Sequence, residues 1–216
     1  MAETQAKICG LSTPDAVKAA VDGGASLLGF VFFGKSPRNI APQAALRLVE
    51  PVRQASPVKI VALTVDPSDA ELDDIVQVLR PDMIQLHGRE TPERTAAIRA
   101  ATGLPVIKAI GVQGASDIAA ARRYDGAADQ LMFDAKPPEG AERPGGTGVA
   151  FDWTLTAGRK FTRPWFLAGG LDPWNVTEAV RLSGAPIVDV SSGVERGAGL
   201  KDPALIEAFL GAARRA

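Results

Sequence analysis

The chain has 216 residues, of which 46% are hydrophobic, and its formal net charge is −1. Its Lys and Arg residues are scattered and form no basic stripe, which argues against binding to nucleic acid. The longest apolar run, residues 27–33, is far too short to span a bilayer, so we expect no membrane partner.

The first seven residues, MAETQAK, contain no apolar stretch typical of a secretory signal. The chain has one cysteine, which cannot form an internal disulfide bond. Proteins without disulfide bonds are typical of a reducing compartment, so a cytoplasmic location is expected.

Strand-like and helix-like segments alternate along the whole chain. Eight short apolar segments are predicted as strands, at residues 5–9, 26–33, 58–65, 83–86, 104–110, 129–134, 163–168 and 186–190. Amphipathic segments are predicted as helices, at residues 13–24, 41–54, 67–80, 91–103, 114–124, 174–184 and 202–215, with a weak helix near 151–155.

Apolar strands that alternate with amphipathic helices are typical of a parallel sheet covered on both faces. Eight such units in a chain of this length predict a single α/β domain over residues 1–216, a (β/α)₈ barrel of eight parallel strands ringed by helices. A doubly wound open sheet is the alternative. That fold usually has a G-x-G-x-x-G turn after its first strand, where this chain has CGLSTP.

Glycines and polar residues stand where the predicted strands end, and in a barrel the catalytic groups gather at that rim. Gly169 and Gly170 follow the seventh strand, and Ser191, Ser192 and Gly193 follow the eighth. Glycines let the backbone approach a ligand closely, while the serines offer hydroxyl and N–H groups that could open a short helix and hold an anion. Either loop alone is compatible with ordinary turn chemistry. The two together predict a phosphate site.

Two charged residues at this rim have side chains suited to catalysis or binding. Asp134 ends the apolar sixth strand, where a carboxyl group loses hydration; this favours its protonated form and suits a general acid. A turn or capping role is the alternative for Asp134. Arg38 lies in the loop after the second strand, and its planar fork matches a carboxylate or a phosphate. An exposed surface arginine would give the same pattern.

Cys9, the only cysteine, ends the first strand. Strand alternation places Lys7 and Cys9 on one face, roughly 6.6 Å apart along the chain. A nearby ammonium group favours the thiolate, which could act as a base or a nucleophile. A lone cysteine is also commonly a small buried hydrophobic residue, and spacing alone leaves both interpretations open.

The fourth strand ends in Gln85 and the only histidine, His87. A lone histidine is more often a structural or substrate-binding residue than a catalytic one. The sequence has no H-E-x-x-H motif, no paired cysteines and no cluster of carboxylates, so we predict no metal site.

Taken together, these motifs resemble the phosphoribosylanthranilate isomerase family of tryptophan biosynthesis. The resemblance runs the full length of the chain and rests on KICGL, GFVFFGKSPRNI, IQLHG, the strand-six Asp, GGTG with FDW, LAGGL, and VDVSSGVE with GLKD. Members of this family are single-domain (β/α)₈ barrels without a cofactor, and the resemblance implies the same here. Whether the chain is a monomer or a homodimer stays open.

What the resemblance implies is an Amadori rearrangement of a phosphorylated ribosylamine of anthranilate. It implies that Asp134 is the general acid, that Cys9 is the general base and that Arg38 holds the anthranilate carboxylate. It also implies substrate contacts for Gln85, His87 and Asp189. Phosphate contacts are implied for Gly146, Gly169, Gly170, Ser191, Ser192 and Gly193. The long loop at residues 135–148 is a candidate lid, with glycines as hinges.

Three other functions are alternatives for a barrel with these residues. The histidine-pathway isomerase catalyses the same rearrangement on another aminoaldose, but that family resembles a doubled half-barrel with two phosphate sites and an Asp where this chain has Cys9. A Schiff-base enzyme using Lys108 would leave Cys9 and Asp134 without a role. A non-catalytic phosphosugar-binding barrel is disfavoured because both Cys9 and Asp134 are present.

Overall fold

The protein is described by a computed structural model that covers residues 3–136, 145–146, 148 and 150–216. Most of the predicted lid, residues 135–148, lies outside these described residues. Within them, no helix is long and apolar enough to cross a membrane.

Eight parallel strands form a closed barrel in chain order, which confirms the predicted fold. Pairing between the first and the last strand closes the ring, with Lys7 opposite Asp189. The strands are β1 (Gln5–Cys9), β2 (Leu27–Phe32), β3 (Lys59–Thr64), β4 (Met83–Leu86), β5 (Val106–Val112), β6 (Gln130–Ala135), β7 (Trp165–Leu167) and β8 (Ile187–Val190).

Seven α-helices pack around the barrel within the described residues. They are α1 (Pro14–Asp22), α2 (Pro42–Ala55), α3 (Asp69–Leu79), α4 (Pro92–Thr102), α5 (Ala115–Ala120), α6 (Val176–Ser183) and α7 (Pro203–Arg214). Their starts follow local chemistry. Thr13 and Thr91 accept hydrogen bonds from the first turns of α1 and α4, and Ser68 forms a capping box with Glu71 at the start of α3.

Two predicted helices differ in the structure. The segment predicted as helix 114–124 is α5 followed by a 3₁₀ helix, Ala121–Tyr124, because the buried Tyr124 turns inward and its hydroxyl donates to the Glu90 carbonyl at 2.9 Å. The weak helix near 151–155 is a single 3₁₀ turn, Trp153–Thr156, which begins at the capping Asp152. Tighter 3₁₀ turns are common in such short connections.

Two apolar layers fill the molecule. The larger layer lies between the strands and the helices and includes Ile8, Phe30 and Phe133. The smaller layer fills the barrel interior and includes Leu27, Val61, Met83, Ile107, Met132, Phe166 and Ile187. Along each strand the side chains alternate between these two layers, so the last inward-pointing residue of each strand faces the open end of the barrel.

After β8 the chain makes a short 3₁₀ turn, Ser192–Val194, and then an antiparallel hairpin of β9 (Glu195–Gly197) and β10 (Leu200–Lys201). The turn of this hairpin packs on the loop that carries Arg38. A methyl group at Gly199, where φ is +78°, would lie only 2.4 Å from the Pro37 carbonyl oxygen. A glycine at this position therefore allows the two loops to touch.

Candidate active site

A cleft of about 730 Å³, including the part open to solvent, lies at the carboxyl ends of the strands. This size suits a small-molecule ligand. Its lining combines apolar, charged and glycine residues: Cys9, Val31, Phe33, Ser36, Arg38, Leu63, Val65, His87, Asp134, Gly145, Gly146, Gly148, Ala168, Gly169, Gly170, Leu171, Asp189, Val190, Ser191 and Ser192.

Cys9 and Lys7 lie side by side on the inner face of β1, and both are buried. The Lys7 ammonium donates to Asp189 Oδ1 at 2.7 Å, across the β1–β8 pair. A methyl group at Gly29 on β2 would lie 3.0 Å from both Cys9 Sγ and Lys7 Nζ. The glycine on the neighbouring strand therefore leaves the space in which thiol and ammonium meet.

Cys9, Lys7 and Asp189 shift one another's pKa values, and burial adds to these effects. Burial raises the pKa of the Cys9 thiol above its ordinary value; Lys7 opposes this shift, while Asp189 adds to it. Burial by itself would lower the pKa of Lys7, but Asp189 and Cys9 together outweigh burial and the pKa is raised. Lys7 therefore favours the thiolate of Cys9, as its position on β1 suggests, but burial outweighs this effect and the pKa of the thiol is raised overall.

The trio gives a direct prediction for thiol ionisation. In Asp189→Asn the amide oxygen can still accept from Lys7, but the negative charge that raises the pKa of Cys9 is gone. We expect the pH dependence of Cys9 alkylation to move to lower pH in this variant. In the double variant Lys7→Met/Asp189→Asn it should move to higher pH, because the lowering effect of Lys7 is the larger of the two.

The measurement is the rate of iodoacetamide labelling against pH, and it reads one site because Cys9 is the only thiol. The double variant removes both partners because Lys7→Met alone would leave a buried carboxylate with neither counter-ion nor hydrogen bond, at a cost of about 3–5 kcal/mol. In Asp189→Asn the Lys7 ammonium keeps a hydrogen bond to the amide oxygen, and thermal melting checks that this variant stays folded. A shift of Asp189→Asn to higher pH would contradict this account.

Asp134 reaches the cleft from β6, and its carboxylate is held by the residues that end β4. His87 Nε2 lies 3.1 Å from Asp134 Oδ2, and Gln85 Nε2 lies 2.9 Å from His87 Nδ1. With Gln85 donating to Nδ1, a neutral His87 carries its proton on Nε2 and donates it to Oδ2. Oδ1 takes no part in this contact.

Gly145 and Gly146, between β6 and β7, lie against these groups. A methyl group at Gly145 would lie 2.5 Å from His87 Nε2 and 2.7 Å from Asp134 Oδ2. At Gly146, where φ is +67°, it would lie 2.7 Å from Nη1 of Arg38. Because both residues are glycines, the backbone can lie against the Asp134 carboxylate at Gly145 and against the Arg38 guanidinium at Gly146.

Arg38 is buried at the rim and makes a bidentate ion pair with a residue of the β9–β10 hairpin. Its Nε and Nη2 donate to the two carboxylate oxygens of Glu195 at 2.6 and 2.9 Å. Lys201 donates to the same carboxylate at 2.6 Å. Burial by itself would raise the pKa of Glu195, but these two cations hold it below its ordinary value.

The loops after β7 and β8 form another wall of the cleft. Gly169 and Gly170 have φ of +85° and +67°, and the Gly170 carbonyl accepts from Asn175 Nδ2 at 2.8 Å. The Ser191 hydroxyl donates to the Cys9 carbonyl at 3.2 Å, and the Ser191 carbonyl accepts from Lys201 at 2.9 Å. These contacts hold two left-handed glycines and a serine loop at one end of the cleft.

Comparison with known proteins follows from this geometry. Residues 6–212 match the family described as "N-(5'phosphoribosyl)anthranilate (PRA) isomerase". A relative named N-(5'-phosphoribosyl)anthranilate isomerase, from Caulobacter vibrioides, is 64% identical over 211 residues, covering 98% of this chain and 96% of the relative. The chain belongs to the N-(5'-phosphoribosyl)anthranilate isomerase family. This membership confirms the predicted family and the predicted isomerase of tryptophan biosynthesis.

Solved structures of this family share the fold. The phosphoribosyl anthranilate isomerase of Thermotoga maritima superposes with a TM-score of 0.87 at 35% identity, covering 99% of this chain and 100% of the other. Another phosphoribosyl anthranilate isomerase was solved in complex with reduced 1-(o-carboxyphenylamino)-1-deoxyribulose 5-phosphate. It has a TM-score of 0.84 at 32% identity, and the match covers 99% of this chain and 100% of that one.

Most of the residues predicted from the family motifs meet in the cleft, but two do not line it. Gln85 is fully buried beneath His87 and also lies 3.2 Å from the Met132 sulfur, so it contacts another site residue and not the open cleft. Gly193 faces the loop after β7, where a methyl group would lie 1.9 Å from the Leu171 carbonyl oxygen. The short helix expected after β8 is only a 3₁₀ turn.

Sequence reasoning missed an apolar wall of the cleft. Val31, Leu63, Phe33 and Val65 pack beside Cys9 at the ends of β2 and β3. Alternation along β2 and β3 was the available signal, because it places these residues on the inner face beyond the filled barrel interior. A flat apolar ring would find its matching surface there.

Lys108, considered as a Schiff-base lysine, lies on the opposite face of its strand from the cleft. Its neighbours Ile107 and Ala109 belong to the barrel interior, so Lys108 points towards the helices. Its ammonium donates to Glu90 at 2.7 Å and to the Gly88 carbonyl at 2.8 Å. Lys108 therefore ties down the loop after His87 and is not available to the cleft.

Proposed function

We propose that the cleft converts N-(5'-phosphoribosyl)anthranilate to 1-(2-carboxyphenylamino)-1-deoxyribulose 5-phosphate, with Asp134 as general acid and Cys9 as general base. The observation that carries the assignment is that one carboxyl group and one thiol, from strands three apart around the ring, line the same cleft. Residues 1–216 act as one catalytic barrel in this proposal.

The chemistry needs one acid and one base. Asp134 gives its proton to the furanose ring oxygen as the C1′–O bond breaks, and the nitrogen lone pair forms the C1′=N bond of a Schiff base. Cys9 as thiolate removes the C2′ proton, and the electrons move to the nitrogen to give an enolamine. Tautomerisation to the ketone completes the rearrangement. The substrate gains the proton of Asp134 and loses one to Cys9, and exchange of a proton with water returns Asp134 to the acid and Cys9 to the thiolate. The product is an isomer of the substrate, so the steps balance without an oxidant or a reductant.

The binding roles follow the chemistry of each wall. Arg38 takes the anthranilate carboxylate, and the apolar wall (Val31, Phe33, Leu63 and Val65) takes the anthranilate ring. Gly146, Gly169, Gly170, Ser191 and Ser192 surround the phosphate through N–H and hydroxyl groups, as loops seven and eight of such barrels often do. His87 holds the acid, and Asp189 holds Lys7 beside the base.

The raised pKa of Cys9 fits a base that works at the substrate. In the free cleft the thiol stays protonated more readily than an exposed one, because burial penalises the thiolate. The positive charge of Lys7 stabilises the thiolate of Cys9 and so offsets part of the cost of burial. We therefore expect activity to keep rising with pH beyond the neutral range, as the thiolate fraction grows towards the raised pKa of Cys9.

The test is to supply phosphoribosylanthranilate to the purified protein and follow its fluorescence. We expect the signal to decay at a rate proportional to enzyme concentration. The heat-denatured protein serves as the control, because the substrate also decays on its own. Absence of any enzyme-dependent decay with folded protein would exclude the proposed activity.

We also propose a cytoplasmic location, which the biosynthetic family and the single cysteine support. The assembly is proposed to be a monomer or a homodimer that binds no nucleic acid and no membrane. A Thermotoga maritima relative of this fold is described as dimeric, with monomers generated from it. Sedimentation of the purified protein over a range of concentrations distinguishes the two states.

A further inference from the structure

We infer that Glu195 and Lys201 are positioning residues that make the cleft selective for a substrate carrying a ring carboxylate. They do so by fixing the Arg38 guanidinium in one orientation. The inference rests on the proposed function, in which Arg38 binds the anthranilate carboxylate. It concerns two residues of the β9–β10 hairpin that do not line the cleft themselves.

The orientation of Arg38 follows from its hydrogen bonds. Glu195 occupies the Nε and Nη2 edge of the guanidinium, at 2.6 and 2.9 Å. Nη1 is left on the side of Gly146, whose backbone approaches it closely. Within residues 3–136, 145–146, 148 and 150–216, Nη1 has no hydrogen-bond acceptor. Because Glu195 holds the Nε and Nη2 edge, the Nη1 end of the guanidinium is turned towards the cleft.

The charges of the cluster point to an anionic ligand. Arg38, Lys201 and Glu195 are all buried, with side chains 6%, 1% and 4% exposed, and they carry two positive charges and one negative charge. A buried cluster with one uncompensated positive charge favours a ligand that supplies a negative one. A carboxylate at Nη1 would balance it.

Lys201 links this cluster to the serine loop. Lys201 and Glu195 face each other across the hairpin, and the Lys201 ammonium reaches both the Ser191 carbonyl and the Ser191 hydroxyl, at 2.9 and 3.3 Å. Gly199 N also donates to Glu195 Oε2 at 3.2 Å. The carboxylate-binding and serine-loop ends of the cleft therefore share one support, so Arg38 has a fixed distance to that loop.

The test compares two substrates, the phosphoribosyl adduct of anthranilate and that of aniline, which lacks the carboxylate. Glu195→Gln keeps the shape of the side chain but removes its charge. We expect kcat/KM for the anthranilate adduct to fall about 10- to 100-fold, mainly through KM, because a misplaced binding group loses this much. The value for the aniline adduct should change less than about 3-fold, since Arg38 has nothing to hold there.

A double-mutant comparison separates positioning from general structure. If Glu195 acts through Arg38, Glu195→Gln should have little further effect on the anthranilate adduct in an Arg38→Met background. Glu195→Asp, which retains the charge on a shorter side chain, should restore part of the preference for the carboxylate. Glu178→Gln, at an exposed glutamate of α6 that pairs with Arg181, is the control for removing a glutamate charge.

The outcomes are distinct. Equal losses for both adducts, or effects that simply add in the double variant, would overturn the positioning role. The aniline adduct and thermal melting also reveal a variant that merely fails to fold, in which case Glu195→Asp carries the test. Failure of the wild-type chain to isomerise the anthranilate adduct would instead overturn the proposed function on which this inference rests.

Discussion

Asp134→Asn is expected to lower kcat by about 10²- to 10⁴-fold, the usual contribution of a positioned general acid. The amide has the same shape and can still accept from His87, but it has no proton to give to the furanose oxygen. In the proposed mechanism other residues bind the phosphate and the anthranilate carboxylate, so the dissociation constant of a product analogue should change little. Steady-state kinetics and titration with that analogue measure the two quantities separately.

Asp73→Asn is the matched control, because Asp73 lies exposed on α3, on the helical surface and outside the cleft. It should leave both kcat and binding unchanged. An Asp134→Asn variant that turns over at the wild-type rate would remove Asp134 as the acid. A variant that loses binding and turnover together would instead indicate a structural role for the carboxyl group.

Cys9→Ser is expected to produce a loss of similar size, about 10²- to 10⁴-fold in kcat, since a serine hydroxyl does not ionise near neutral pH. The hydroxyl is close in size to the thiol, so the packing of Val31 and Leu63 around it should be kept. Alkylation of the wild-type protein should abolish turnover in proportion to the label, and a bound product analogue should protect it. Full activity in Cys9→Ser would falsify the assignment of Cys9 as the base.

The barrel could be predicted from the sequence because each strand and helix has its own local sequence signal and the strand–helix unit repeats along the chain. Each strand is a short apolar run and most of the helices carry their own start signals, such as Thr13 with Pro14 and Ser68 with Glu71. The helix expected near residue 151 failed for a local reason as well. Asp152 starts a turn there that continues only through Thr156.

The candidate site was predictable only in part. Cys9, Asp134 and the loop glycines stand at strand ends, and the family motifs implied their roles. The sequence could not reveal that Asp189, 182 positions away, pairs with Lys7 and cancels part of its effect on the thiol. The pairing of Arg38 with Glu195 across 157 positions was hidden for the same reason. Alternation places a side chain on a face but does not identify its partner on a distant element.

The closure of the barrel between β1 and β8 has a consequence for how the protein is made. β1 carries Cys9 and Lys7, and it is synthesised well before its partners Asp189 and Ser191, which belong to β8 and the loop after it. Until β8 is synthesised, β1 keeps an unpaired edge and Lys7 has no counter-ion. Such open edges are exposed to mispairing and aggregation during synthesis. We therefore expect the surroundings of Cys9 to be completed late in synthesis and in one step, when β8 pairs with β1 and closes the ring.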